Sequence, residues 1–460
     1  MSMPCQRGSW GCWALALGMV MSQPGRTTTL LEAFRNAQSR DPAYLSAVAT
    51  HRASQELMPQ ARAGLLPSLG LSALHMNNRL DKTDAGIDLP QQRYRSDNRT
   101  LTLRQGLVRP LAWAQLEQAQ FQVSGALHDL QRAHNELAVR VATAYLDALY
   151  AQDQEDSARS QAHLLTLQLN SAIRGFQQGV GIVSDIDEAQ ARLGQAEAEL
   201  AQFQSARRLA LQQLSLFAGV TDPAPLHQVS GDFTFHQDQP SLTEWIERGE
   251  QSNPEILSGQ MKAQAALVEI KKSTAGHLPT LDLVAQISDS RNENIQFPTI
   301  AYWNRQWGVQ LSVPLFSGGA IQSQVRQAQA QAEQEAYGLN AARIQAQLQI
   351  TREYANVQDG CTKILAGVRS VRAAHHTFVS VEKNMQAGYR SRVDVFNAID
   401  RIASTNRDLM WARYQTLLAW LKLQLLGGVP AEEAIGQTHP HCPLDPALTE
   451  NLSWDSGSPR

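Results

Sequence analysis

The feature that most limits what this chain can fold into is that it contains one pattern twice. Asp41-Pro42 returns as Asn253-Pro254, an offset of 212, and LLPSLGLSA at 65–73 returns as HLPTLDLVA at 277–285 with the same offset. Leu107 corresponds to Leu315 at an offset of 208. GVGIVSDIDEA at 179–189 corresponds to GYRSRVDVFNA at 388–398, and LQQLSLFAGV at 211–220 to WLKLQLLGGV at 420–429, both at 209. The matches are collinear, so the chain is two copies of one supersecondary unit. The copies span 29–220 and 241–429, with a polar linker at 221–240. The tail, 430–460, is rich in Pro, His and Ser and is expected to be flexible.

Each copy reads helix, β-hairpin, long helix, short helix. Asp41 and Asn253 are helix caps with Pro42 and Pro254 at the first helical position. Pro67 and Pro279 stop those helices, and a period of two follows. Strands are expected at about 66–79 and 98–108, and again at 278–288 and 303–316. Their alternate residues are apolar: Leu101 and Leu103 in the first copy; Leu281, Leu283, Trp307, Val309 and Leu311 in the second. Long helices are expected over 113–174 and 320–386, followed by helices with seven-residue apolar periods such as Ile186, Leu193, Leu200 and Ile402, Leu409. That is coiled-coil patterning.

The hairpins carry one oily and one polar face, while the helices bury their own seams. A lipid-facing barrel gives the oily face an environment, because closed barrels are the only sheets that span a bilayer. Four strands cannot close, since the smallest barrels have about eight, so the chain must oligomerise. A dimer would supply eight strands and a trimer 12. Trp303 and Trp307 near a strand end suit an interfacial belt. The N-terminus fits this destination. Arg7, the apolar run from Trp10 to Met21 and Ser22 describe a secretory signal over 1–22. After its removal Cys361 and Cys442 remain, too few for a disulfide scaffold.

With these features the sequence resembles the TolC family of outer-membrane efflux and secretion channels. The resemblance covers about 29–429. It rests on the duplicated unit, the LPSLGLSA and LPTLDLVA strand starts, the SVPLFSGG exit into the long helix, and the turns at Gly179–Ala189 and Gly388–Ala398. It implies a mainly α fold with a β-barrel segment: a homotrimeric, 12-stranded outer-membrane barrel on a periplasmic α-helical coiled-coil tunnel. It further implies a periplasmic adaptor, or membrane fusion protein, at tips containing Gly179, Gly181 and Gly388. Within the family the chain is most similar to type I secretion members. These work with an inner-membrane ABC transporter and pass a protein cargo of the toxin type. The resemblance also places a periplasmic gate at Asp185, Asp187, Arg390 and Asp394. Asn397 stands where relatives have a further acid, and Met385 where they have a tyrosine.

Other chemistry is not indicated. No phosphate-binding glycine loop, HExxH or serine elbow occurs, so neither enzyme activity nor a cofactor is expected. His375 and His376 are adjacent on a helix and cannot converge on one metal; His439, His441 and Cys442 are read as a solvated tail. A net charge of −3 gives no reason to expect nucleic acid. Two alternatives stay open at this level: the outer-membrane part of a multidrug or metal efflux pump, and a soluble coiled-coil scaffold.

Overall fold

The computed structural model describes residues 29–84, 86–218, 226, 240–293 and 300–436. The first copy runs α1 Leu30–Gln38, α2 Pro42–Gln55, α3 Leu57–Ala63, β1 Ser68–Leu80, β2 Gln92–Val108, α4 Pro110–Gln177 and α5 Val183–Ala218. The second runs α6 Leu242–Ser252, α7 Pro254–Thr274, β3 Thr280–Arg291, β4 Ala301–Ser312, α8 Ala320–Gln386 and α9 Arg392–Leu426. The chain then forms α10 Ala431–Gly436. A short ladder pairs Thr83–Asp84 with Ile87–Asp88 between β1 and β2.

The expected caps form. Asp41 accepts from the Tyr44 amide at 2.7 Å, and Asn253 accepts from the Glu255 amide at 2.9 Å. Strand limits differ modestly from expectation. The strand expected at 98–108 begins at Gln92, because the polar stretch 92–97, with Arg93, Arg95 and Asp97, still pairs with β1. The strand expected at 303–316 ends at Ser312, where Pro314 removes a ladder donor. The tail was expected to be flexible from 430, yet Ala431, Ala434 and Ile435 pack into the core as α10. The signal segment, nearly all of the linker and residues 437–460 lie outside the described residues.

The helices α4 and α8 are 68 and 67 residues long, so each reaches about 100 Å. Their turns at 178–182 and 387–391 fold α5 and α9 back along them. Among the described residues three cores run along this length. One joins Phe34 of α1, Tyr145 and Leu149 of α4, Leu425 of α9 and Ile435 of α10. A second joins Trp245 of α6 with Ile350 and Val357 of α8 and Trp420 of α9. The third, near the turns, joins Leu165, Ala189 and Phe396. Alanine is the commonest buried residue in α4, which lets helix axes approach closely. Cys361 in the second core is disulfide-bonded. It is the only cysteine among the described residues. The cysteine spacing did not announce this bond, because spacing reveals local pairs only.

Tyr337, Ile344 and Leu348 of α8 are 72%, 60% and 58% exposed, and Leu209 and Leu216 of α5 are 58% and 76% exposed. Within one protomer these two helices therefore keep apolar flanks uncovered.

Candidate functional site

The four strands form one antiparallel sheet in the order β1-β2-β3-β4. Cross-strand partners share a face, so register sorts the side chains. Leu69 faces Leu103, which faces Ala285, which faces Trp307. Leu71, Leu101 and Ile287 align in the next row; Leu283 pairs with Val309 and Leu281 with Leu311. All seven apolar residues singled out in the sequence thus lie on one side of the sheet. The opposite side carries Ser68, Ser72, Thr100, Thr102, Asp282, Gln286, Gln306 and Gln310, with Leu74, Met76, Leu80, Val284 and Tyr302 among the exceptions. The apolar side is exposed, Leu71 at 76% and Trp307 at 83%; on the polar side Ser288 and Ser290 of the inner strand β3 are buried, while Ser68, Ser72, Gln306 and Gln310 of the edge strands are exposed. A sheet in a water-soluble core has the reverse arrangement.

The sheet is fastened to the helices from its polar side. Arg109, the residue before α4, places Nε and Nη2 on the two carboxylate oxygens of Asp282 at 2.8 and 2.9 Å. Gly106 makes this possible, since a Cβ there would lie 2.6 Å from Arg109 Cδ. Beside it the β2–β3 register shifts between Gly106 and Val108, leaving Leu107 in a bulge. Neither outer edge, of β1 or of β4, has a partner among the described strands.

At the far end, Gly179 and Gly388 have φ of +76° and +82°. In the first turn the Val180 amide donates to Gly175 O at 3.0 Å; in the second the Tyr389 amide donates to Asn384 O at 2.8 Å. These are left-handed helix C-caps, which glycine forms without Cβ strain. Gly181 differs: its φ is not in the left-handed region, and a Cβ there would lie 2.9 Å from the Phe176 amide nitrogen. The turns also expose Val180 and Tyr389, each at 83%, and Ile182 at 62%. Glycine signals led to these turns, but the apolar residues beside them were missed.

The expected gate residues separate into two arrangements. Ser391 and Asp394 form a reciprocal cap at the start of α9, and Arg390 lies 4.0 Å from Asp394 on the same segment. The Ser391 backbone and hydroxyl bonds, with Arg390 adding to them, hold the Asp394 carboxyl below the usual range. Asp185 is bound instead by Arg392, Nε to Oδ2 at 3.2 Å. Arg392 had not been singled out for the gate; its place two residues beyond Arg390 was the available signal. Asp187 and Asn397 are exposed and join neither arrangement. Further along, Arg192 of α5 reaches Glu188 at 2.9 Å and Asp400 of α9 at 3.1 Å, and Gln161 of α4 donates to Asp400 at 2.9 Å.

Among the described residues no group of three His, Cys, Asp or Glu converges as a metal site. None of the described helices is long and apolar enough to cross a membrane. His439, His441 and Cys442 lie outside the described residues.

Comparison with known proteins matches this architecture. The model of the family described as outer membrane efflux protein fits residues 33–220 and 245–429. The alkaline protease secretion protein AprF of Pseudomonas aeruginosa is 30% identical over 408 residues, covering 87% of this chain and 84% of AprF. The proteases secretion protein PrtF of Dickeya chrysanthemi is 29% identical over 434 residues, covering 92% and 94%. The solved outer membrane protein VceC of Vibrio cholerae shares the fold with a TM-score of 0.73 at 17% identity, covering 87% of this chain and 96% of VceC. Duplicated sequence, helical hairpins and an outward-greasy sheet therefore converge on one conclusion: the chain belongs to the outer membrane efflux protein family, the TolC-like channels of the bacterial outer membrane, and is a transport component rather than an enzyme.

Proposed function

We propose that three copies of this chain close one 12-stranded barrel and one helical tunnel. Together they form the export duct of a tripartite type I secretion system. The observation that carries the reading is the open four-stranded sheet with its apolar side exposed. Each edge presents a row of backbone N–H and C=O groups, and such groups cannot be left unpaired in hydrocarbon. Joining β4 of one copy to β1 of the next satisfies both edges at once. The uncovered apolar flanks of α5 and α8 then meet across the same boundary, which explains residues such as Tyr337 and Leu216. Asp282, Gln286 and Gln310 line the resulting lumen.

The tips at Gly179, Gly181 and Gly388 are the docking points for a periplasmic adaptor protein. Exposed Val180 and Tyr389 supply apolar contact area there. Beyond the adaptor stands an inner-membrane ABC transporter, which supplies the energy that a passive duct lacks. A protein cargo is supported over drugs or metal ions by the two relatives named for protease secretion, which match about nine tenths of the chain. The cargo expected from the resemblance is a toxin-type protein.

The test is deletion of the gene in its own host, with secreted protein and drug susceptibility measured together. Loss of one or more proteins from the medium, with unchanged susceptibility to drugs and metals, supports protein export. Unchanged secretion with increased susceptibility would assign the duct to an efflux pump instead.

A further inference from the structure

Above the apolar band the same outward side of the sheet becomes strongly basic. Following register away from the helices, Ile287 is partnered by Arg305, and the next row holds Ala73, Arg99, Asp289 and Trp303. Then come His75, Asp97 and Arg291, then Asn77 with Arg95, and then Arg79 with Arg93. In β2 the outward residues Arg93, Arg95 and Arg99 are exposed, while Tyr94, Ser96, Asn98 and Thr100 between them are partly buried.

The local acids do not neutralise this surface. Asp97 is held by His75 at 2.7 Å, Asp289 lies 3.9 Å from Arg291, and Asp81 lies 3.6 Å from Arg79. Among the described residues Arg93, Arg95 and Arg305 have no carboxylate within 4 Å, and Arg99 acts on Asp97 only at longer range. Arg305 sits over the Trp303 ring at 5.2 Å, which fixes an arginine at the aromatic boundary of the apolar band.

The strands leave the helices at one end and turn back at the other. With the helical tunnel in the periplasm, the basic rows lie at the level of the outer leaflet. We propose that this outward arginine girdle binds the phosphate groups of the phosphorylated glycolipid that forms that leaflet. The inference rests on the lipid-facing reading of the apolar side. Guanidinium groups match phosphate oxygens in a two-pronged geometry and are weakly hydrated, so arginine suits a phosphate layer beside hydrocarbon. The apolar rows directly beneath would contact the acyl chains of the same molecule, giving one lipid both a charged and an oily contact. Closure by three copies would repeat the patch around the barrel.

The experiment uses the full chain purified as its detergent-stable oligomer, with bisphosphoryl lipid A as probe. Its controls are dephosphorylated lipid A and inorganic phosphate. The wild type should bind bisphosphoryl lipid A, bind the dephosphorylated form far more weakly, and weaken further as salt is raised. Each arginine removed should cost about fivefold in affinity, so Arg93→Gln, Arg95→Gln and Arg99→Gln combined should cost roughly a hundredfold. Arg326→Gln on α8 should change nothing. Equal binding of both lipid A forms by the wild type, or unchanged binding by the triple variant, would overturn the proposal. Displacement by millimolar inorganic phosphate would overturn it too, since that marks a free-phosphate site. If the triple variant does not assemble, the wild-type comparison of the two lipids decides. Bromolipid quenching of Trp307, read against Trp307→Phe, reports the face assignment separately. Quenching without lipid A binding overturns the girdle alone.

Discussion

Arg392 Nε lies 3.2 Å from Asp185 Oδ2 and joins the tip of one repeat to the tip of the other. The repeat explains why Asp185 is available. Its counterpart Asp394 is engaged by Ser391, which caps α9. The position equivalent to Ser391 in the first copy is Ile182, which has no hydroxyl, so the Asp185 carboxylate is left for Arg392. Arg392 is well enclosed, its side chain 19% exposed, and also donates to Ser171 Oγ at 3.4 Å. Two equivalent acids thus serve different purposes: one caps a helix, and the other ties two helical hairpins.

If that tie holds the periplasmic end closed, removing it should open the channel. Each partly exposed pair contributes up to about 1 kcal/mol. Three around one axis would shift the closed–open balance by roughly 1–3 kcal/mol, about 5- to 150-fold. Arg392→Gln and Asp185→Asn should raise conductance in planar bilayers, more than Arg390→Ser does. Equal conductance in all three variants and the wild type would assign these charges to folding alone.

The lipid-facing assignment predicts a strong asymmetry between neighbouring residues of β3. Leu283→Arg should destabilise the barrel by about 2–4 kcal/mol if it lies near midplane. Asp282→Asn should act differently, weakening the attachment of α4 through Arg109 by about 1.5–3 kcal/mol. Unfolding from lipid vesicles in urea measures both. Normal stability of Leu283→Arg would place that side toward the lumen.

Much of this was legible because repetition and period are properties of sequence. Caps at Asp41 and Asn253, strands with Leu281 and Leu283 on one side, and turns at Gly179 and Gly388 all follow from local chemistry. The pairing of Asp185 with Arg392 was not legible. It depends on how two hairpins from different repeats are rotated against each other, which a period does not specify. The start of β2 was missed because residues 92–97 alternate charge with polarity rather than oil with polarity. The α10 turn was missed because six residues are too few to show helical periodicity against a Pro- and His-rich background.

The surroundings of His134 predict that the helical part loses stability in acid. It sits between Phe34 and Tyr44, with Gln38 Nε2 at 2.8 Å and Glu432 at 3.5 Å. Burial pushes its pKa down, with Glu432 opposing. A histidine whose folded pKa is depressed contributes stability that is complete above its unfolded value, about 6.5, and that is lost as pH falls through that value. The melting temperature should therefore fall between about pH 7.5 and 5.5, and His134→Gln should reduce the fall. An identical pH dependence in the variant would exclude His134 as a source.

The buried disulfide at Cys361 fits an oxidising periplasm. Protein unfolded without reductant should resist alkylation at Cys361 and become fully labelled after reduction. Labelling without reduction would show a free thiol.

The central claim is that this chain completes its barrel only by joining copies of itself in a membrane. Native mass spectrometry of the protein extracted from outer membranes tests it most directly. The expected result is a detergent-dependent species of three chains that reverts to single chains on heating. A monomer that stays soluble without detergent would contradict the account, since an open sheet with Leu71 and Trp307 exposed could not then be a segment of a barrel wall.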